Sequence, residues 1–171
     1  HFSIAFSVEH AGFADVMGLF REAEGQFVYD PKTRELESGA VTVQAGSVFS
    51  AHDERDRHVR GGDFLDADAH PEIRFVATGY EPRGDDRGEL RGELTLMGET
   101  RPVTLDVRIN RMGEYPFGGG LFSDPPYVIG ISAETTIERS EWGMTYGVDN
   151  DIVGDAVDLR FEFEARRQEA D

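Results

Sequence analysis

"GELRGELTLMGETRPVTLDVRIN", residues 88–110, alternates apolar and polar side chains on both sides of one short turn. An alternation of period two predicts strands with one buried and one solvent-facing side. The turn is predicted at "MGET", residues 97–100, and Pro102 lies just past it, where a missing N–H is tolerated at a strand start. The predicted inward set is Leu90, Leu94, Leu96, Val103, Leu105, Val107 and Ile109. The stretch therefore predicts an antiparallel hairpin.

The same alternation continues along nearly the whole chain. Further strands are predicted in 1–10, 14–30, 39–46, 71–80, 127–138 and 156–167, with a bulge after Phe20. Their apolar faces carry Phe2, Ile4, Phe6, Val8, Val16, Gly18, Phe20, Phe27, Tyr29, Val41, Val43, Ala45, Ile73, Phe75, Ala77, Ile129, Ile131, Ala133, Ile137, Val157, Leu159, Phe161 and Phe163. Together with the hairpin, the pattern predicts about eight strands, each with one apolar and one wet face.

About eight amphipathic strands must bury one face and protect two edges, and closing the sheet into a barrel does both. We therefore predict an all-β fold, an eight-stranded antiparallel barrel over 1–171 as a single domain, with a two-sheet sandwich as the alternative. A barrel of this size is filled by side chains or holds one ligand. Gly18, Gly79 and Gly92 fall on the apolar face, where they remove side-chain volume and favour a cavity, although glycine also marks bulges.

Composition narrows the class of partner. The net charge of −17 argues against nucleic acid and anionic membranes. The chain has no cysteine, which excludes disulfides and thiolate chemistry, and it has no apolar run of about 18 residues that would predict a membrane span. His1 already lies inside an alternating pattern, so we expect that an upstream segment, with a signal peptide, has been removed.

The run "RDRHVRGGDFLDADAHPEIRF", residues 55–75, contains arginine, aspartate and histidine side chains, which are the groups that an acid–base active site would use. A helix is predicted from Ala51 to Arg60, ended by Gly61. His58 with Asp56 or Asp66 could act as acid and base, which is one functional hypothesis. The alternative is a solvated charged face, followed by Phe64 and Leu65 as a plug for the barrel.

Metal and nucleophile motifs are not found in the sequence. His52 and His58 are six residues apart, about 240° around a helix, so they lack the spacing of a helical metal pair. No nucleophile elbow, P-loop or paired-cysteine motif occurs. We predict no metal site and no cofactor.

Four segments together resemble one known family. "HFSIAFSVEHAGFADVMGLF", "SVFSAHDERDRHVRGGDFLDADAHPEIRF", "GELTLMGETRPVTLDV", and "ERSEWGM" followed by "VGDAVDLRFEFEA" occur in order along the chain. They resemble the YceI-like family, the bacterial polyisoprenoid-binding, lipocalin-like barrel proteins. The second and third segments carry the most specific motifs, at Arg55–Arg60 with Asp63–Asp66 and at Leu94–Pro102. Trp142 and the long aromatic loop 112–127 depart from the family pattern.

The resemblance implies a barrel with a helix near one end and an apolar lumen that holds an isoprenoid or similar lipid tail. It also implies a periplasmic or secreted location, often a homodimer, and no catalysis. From the lack of a long apolar run we further predict no stable membrane insertion. The predicted lumen residues are Phe6, Val8, Val16, Phe20, Phe27, Val43, Phe75, Leu94, Leu96, Leu105, Val107, Ile131, Ala133, Trp142, Met144, Phe161 and Phe163, and those at the mouth or a headgroup are Arg55, His58 and Arg60.

Four hypotheses about function stay open at this point. The first is a carrier or sequestering protein for polyisoprenoids and quinone-like lipids, and the second is a carrier of fatty acids or fatty amides. The third is a histidine-dependent enzyme that uses His58. The fourth is a filled barrel that serves only as an interaction module.

Overall fold

Ten antiparallel strands form one sheet in the part of the chain that the structure, a computed structural model, describes, residues 1–118 and 124–168. Residues 119–123 of the long aromatic loop lie outside the described residues. The strands are β1 (Phe2–His10), β2 (Ala14–Phe20), β3 (Ala23–Asp30), β4 (Glu35–Gln44), β5 (Val48–Phe49), β6 (Glu72–Pro82), β7 (Arg87–Leu96), β8 (Glu99–Glu114), β9 (Tyr127–Glu138) and β10 (Val153–Arg166). Helix α1 spans Asp53–Arg60, and 3₁₀ turns lie at Ala45–Ser47 and Arg139–Trp142.

The sheet curls into a barrel. Its strand order is β3-β4-β6-β7-β8-β9-β10-β1-β2-β5. β2 and β3 are one stretch of chain with only Arg21 and Glu22 between them, so the chain itself joins the two ends of the sheet. Phe27 of β3 meets Phe163 of β10 with ring centroids 6.5 Å apart, although five strands lie between β3 and β10 in the sheet order. The predicted all-β, antiparallel barrel class is confirmed.

The strand count exceeds the predicted eight because the predicted strand 14–30 is bent into two strands and because the short strand β5 lies in a segment predicted as a connection. Ser47 lies at the bend, where its Oγ accepts the backbone N–H groups of Arg21 and Glu22, each at 3.1 Å. This contact divides 14–30 into β2 and β3, while the 3₁₀ turn at Ala45–Ser47 divides the opposite strand into β4 and β5. The bulge expected after Phe20 is thus a sharp bend that closes the barrel.

The hairpin of β7 and β8 has the predicted register, with a tighter turn than "MGET" indicates. Leu96 pairs with Glu99, so the loop is only Met97 and Gly98. Both have positive φ, 51° and 78°, as a two-residue hairpin turn of the primed type requires. Further along β8, Leu105 is buried while its neighbour Thr104 is exposed, which confirms the predicted alternation.

A bulge in β6 changes which of its side chains face the lumen. The pairing of β6 with β7 shifts between Ala77 and Gly79. The extra residue turns the Tyr80 ring into the lumen, and a β-carbon at Gly79 would have no atom within 4 Å. Gly79 therefore marks a bulge, which was the alternative open for the glycines of the apolar face, and does not enlarge the lumen.

Gly18 and Gly92 remove side-chain volume on the apolar face, and aromatic rings occupy the space. A β-carbon at Gly18 would lie 2.3 Å from the nearest atom of the Phe6 ring, and one at Gly92 would lie 2.2 Å from the nearest atom of the Phe75 ring. Gly88 receives the Tyr80 ring in the same way. The volume that these glycines release is therefore occupied by aromatic rings from the neighbouring strand. The rings can lie against the wall because the glycines lack side chains, and the middle of the barrel stays open.

Gly92→Ala should destabilise the protein and narrow the lumen. The new methyl group would displace the Phe75 ring and would lie only 2.7 Å from the backbone oxygen of Val76. Overpacking of this kind typically costs about 1–3 kcal/mol of unfolding free energy. Gly79→Ala is the matched control on the neighbouring strand, and we expect its unfolding free energy to change by less than about 0.5 kcal/mol. Equal denaturant midpoints for the two variants would contradict the packing described here.

Candidate functional site

The candidate site is a cavity of about 460 Å³ that runs through the barrel. Its wall is almost entirely apolar, and every predicted lumen residue except Trp142 lines it. The lining therefore includes Phe6, Val8, Val16, Phe20, Phe27, Val43, Phe75, Leu94, Leu96, Leu105, Val107, Ile131, Ala133, Met144, Phe161 and Phe163. Arg55 and His58 also line the cavity. That these residues bind a ligand stays a prediction.

Trp142 and Arg60, which were predicted to line the lumen or its mouth, do not line the cavity. Trp142 is only 2% exposed and belongs to the core cluster with Leu96 and Met144, behind the cavity wall. Its indole Nε1 donates a hydrogen bond to the backbone oxygen of Leu94 at 3.0 Å, so it fixes β7 from behind. Arg60 is exposed at the last position of α1 and does not line the cavity. A turn and a helix end do not follow the alternation that places strand residues.

One end of the lumen is closed by the segment that follows α1. Phe64 and Leu65 are buried and pack in one cluster with Leu96 and Met144, and Val59 of α1 packs against them. The predicted plug is therefore confirmed. The helix itself begins at Asp53 rather than Ala51, because the His52 side chain accepts the Arg55 N–H at 3.2 Å and caps the first turn.

The charged residues of α1 tie the helix to the end of β5. Asp56 is 2% exposed, and its Oδ1 accepts hydrogen bonds from the backbone N–H of Ser50 at 2.7 Å and from the Ser50 hydroxyl at 2.5 Å. Arg55 donates from Nε to the Ser50 hydroxyl at 2.7 Å and from Nη2 to the Ser50 backbone oxygen at 2.6 Å. This part of the run 55–75 therefore positions the plug, and Asp56 is already hydrogen-bonded to Ser50.

His58 stands at the closed end beside two aromatic rings. Its ring centroid lies 5.0 Å from that of Phe64 and 5.1 Å from that of Tyr146. Its Nε2 is 2.9 Å from Asp63, so the carboxylate that it pairs with is neither Asp56 nor Asp66. Within residues 1–118 and 124–168, no group of three or more His, Asp or Glu side chains is arranged to hold a metal ion.

A buried arginine, Arg139, stabilises the closed end of the lumen. Arg139 is 2% exposed and donates to the backbone oxygens of Gly154, Met144, Tyr146 and Val153 at 2.7–2.8 Å. Its guanidinium also lies under the Phe64 ring, 5.6 Å from the centroid. Burial lowers the pKa of Arg139, and the charge of Asp155 opposes that shift. The sequence does not reveal this role of Arg139, because a charged position in a turn carries no sign of the carbonyls that will surround it.

The other end of the lumen is lined by two tyrosines. Tyr29 and Tyr80 meet edge to face with centroids 6.1 Å apart, and both line the cavity. Burial is the main cause that raises the pKa of each phenol, so both side chains stay uncharged at neutral pH. Tyr80 was not predicted as a lumen residue, since only the bulge at Gly79 turns it inward. The arrangement as a whole can shelter a long apolar molecule from water.

Comparison with known proteins gives a family match over nearly the whole chain. The model of the YceI-like domain matches residues 1–165. A UPF0312 protein of Pectobacterium atrosepticum is 34% identical over 145 residues, which cover 85% of this chain and 71% of that protein.

Solved structures share the fold. The crystal structure of a Campylobacter jejuni YceI protein has a TM-score of 0.82 at 26% identity, covering 94% of this chain and 90% of the other. A polyisoprenoid-binding domain from Saccharophagus degradans, implicated in plant cell wall breakdown, has a TM-score of 0.69 at 11% identity, covering 98% and 94%. At that identity the likeness shows the fold alone. No helix among the described residues is long and apolar enough to cross a membrane.

Replacing Arg139 by methionine should strongly destabilise the closed end. The four backbone oxygens that it bonds would lose their donor, and each buried acceptor left unpaired costs about 1–3 kcal/mol. Arg160→Met is the control, because Arg160 is exposed and its guanidinium pairs with Glu162 at the surface, its one ion-pair partner among the described residues. We expect Arg139→Met to lower the midpoint of thermal unfolding well below that of Arg160→Met. Similar midpoints would show that Arg139 does not hold this end together.

Proposed function

We propose that this chain, which belongs to the YceI-like family, binds the apolar tail of a polyisoprenoid or quinone-like lipid in its lumen and catalyses no reaction on it. The observation that carries the proposal is the continuous apolar cavity of about 460 Å³, closed at one end by Phe64 and Leu65. That volume lies within the range of about 300–1,000 Å³ that small-molecule sites usually have.

The energetics favour a long apolar tail. Each methylene that leaves water contributes roughly 0.8 kcal/mol. The middle of the lumen is lined by Leu105, Val107 and Ala133. An apolar tail therefore gains this free energy there without any polar recognition. Selectivity would then follow from the shape of the lumen, which is set by the rings that lie on Gly18, Gly88 and Gly92.

The class of lipid is supported by two further considerations. The fold neighbour from Saccharophagus degradans is described as a polyisoprenoid-binding domain, which makes isoprenoids the first ligands to test. The family resemblance also implies a periplasmic or secreted location and a homodimer, and both belong to this proposal. Fatty acids and fatty amides are the competing ligands, and the extraction experiment below separates the two classes.

The proposal that the protein is not an enzyme rests on how the polar groups near the lumen are used. His58 pairs with Asp63, Asp56 binds Ser50, and Arg55 binds both the hydroxyl and the carbonyl of Ser50. These contacts connect α1 and the plug to the barrel. Acid–base catalysis would require His58 to leave Asp63 or to share it with a substrate.

The lumen should retain a lipid through purification, and one substitution inside it should release that lipid. Leu105 is 7% exposed and lines the cavity, so Leu105→Asn would place an amide without a partner in the wall, at a cost of about 1–3 kcal/mol. Thr104→Asn, one residue earlier on the exposed face, should leave stability and occupancy unchanged. The measurement is mass spectrometry of an organic extract, as moles of lipid per mole of each variant.

Three results would contradict the proposal. One is a lipid-free wild-type protein that also fails to bind an added prenylated quinone. Another is equal loss of lipid from the variants at 104 and 105, which would mean that both faces of β8 are buried. The third is turnover of the bound molecule that disappears in His58→Ala while the fold is retained. Recovery of fatty acids or fatty amides in place of isoprenoids would reassign the ligand class.

A further inference from the structure

Aromatic and basic side chains line one side of the end of the barrel that lies opposite the plug, where β8, β9 and β10 meet. We call them the rim: Tyr115, Phe117, Tyr127, Arg166 and Arg167. Phe117 is 72% exposed, and its ring centroid lies 6.0 Å from that of Tyr115. Arg167 stacks over Tyr127, with its Cζ 4.9 Å from the ring centroid, and its backbone N–H donates to the Tyr127 oxygen at 2.9 Å. The rim is therefore an ordered surface with exposed apolar area.

The rim is continuous with the lumen. The Tyr115 hydroxyl donates to Glu164 at 3.1 Å, and the preceding residue, Phe163, lines the cavity. On β9, Ile129 lies two residues after Tyr127 and also lines the cavity. Among the described residues, helix α1 and the plug cover only the closed end, which lies opposite the rim. A molecule that leaves the lumen at this end therefore passes the rim.

The charge of the chain is distributed unevenly along the barrel. The segments 53–72 and 138–155, which form the closed end, contain many more carboxylates than arginines. On the rim side of the mouth the two signs balance, because Arg111, Arg166 and Arg167 offset Glu114, Asp124 and Glu164, while the turns 30–37 and 81–89 elsewhere around the mouth are slightly acidic. The closed-end segments hold twelve carboxylates and four arginines, which is a larger acidic excess than the mouth carries. A neutral surface can approach the rim, whereas a strongly anionic one would be repelled by the protein as a whole.

We propose that the rim docks onto the headgroup layer of a zwitterionic phospholipid bilayer, with the lumen mouth facing the lipid and the closed end facing water. Aromatic side chains favour the membrane–water interface because one part of each ring is apolar and another is polar. Arginine side chains bind phosphate groups through paired hydrogen bonds. The docking goes beyond the proposed function, since it says where a lipid is collected or delivered and does not depend on which lipid the lumen holds.

Tryptophan placed at the two ends of the barrel tests the docking and its orientation. Phe117→Trp reports on the rim, and Phe13→Trp is the control, because Phe13 is 92% exposed in the β1–β2 turn at the closed end. The native Trp142 is 2% exposed and gives a constant background. Vesicles of brominated phosphatidylcholine quench tryptophan that enters the bilayer interface. We expect quenching of the tryptophan at 117 and none of the tryptophan at 13.

Charge reversal tests the contribution of the arginines. In the Phe117→Trp protein, Arg166→Glu together with Arg167→Glu should weaken binding to these vesicles by about tenfold, because two charge-assisted phosphate contacts become repulsive. Arg57→Glu together with Arg60→Glu is the matched control on the exposed face of α1 and should leave the binding unchanged.

Absence of quenching at 117 would overturn the docking, as would equal quenching at 13 and 117. A rim that instead binds another protein gives that same negative result with vesicles. The outcome is separable from the proposed function. Lipid in the organic extract without quenching at 117 refutes the docking alone, while quenching at 117 with an empty lumen refutes the lipid-carrier function alone.

Discussion

The structure depends on removing one continuous apolar surface from water. Each long strand carries that surface on one side only, so no flat arrangement of this sheet could hide it. The bend at Arg21 and Glu22, fixed by the Ser47 hydroxyl, brings the two ends of the sheet together and solves the problem. The same closure creates a lumen, because the aromatic rings on Gly18, Gly88 and Gly92 lie along the wall. Barrel and binding cavity are thus consequences of one constraint.

The apolar lumen is closed at one end, and polar contacts hold the closing segment in place. Phe64 and Leu65 fill the closed end, but they lie on a segment with little regular structure of its own. Asp56 and Arg55 hold the preceding helix on Ser50, and Arg139 binds four backbone oxygens beneath Phe64. The charged run that first resembles an active site is therefore used to keep water out of the lumen.

The sequence predicts the wall of the site well and its ends less well. Along β8 the alternation of Thr104 and Leu105 follows directly from the pattern, because a paired strand has no freedom to rotate one side chain independently. Tyr80 escapes prediction because the bulge beside Gly79 shifts the register by one residue. Trp142 and Arg139 escape it because turns have no period. The role of Gly92 depends on its partner across the sheet, which the sequence alone does not identify.

The central claim is that ligands occupy the inside of this barrel, and methyl NMR tests it most directly. Delipidated protein with labelled Leu, Val and Ile methyl groups would be titrated with a prenylated quinone. We predict shifts for the lumen methyls of Leu105, Val107 and Ile131 and none for Val28 and Val76, which are 52% and 37% exposed on the outer face. Shifts confined to Val28 and Val76, or none at any methyl group, would contradict the account.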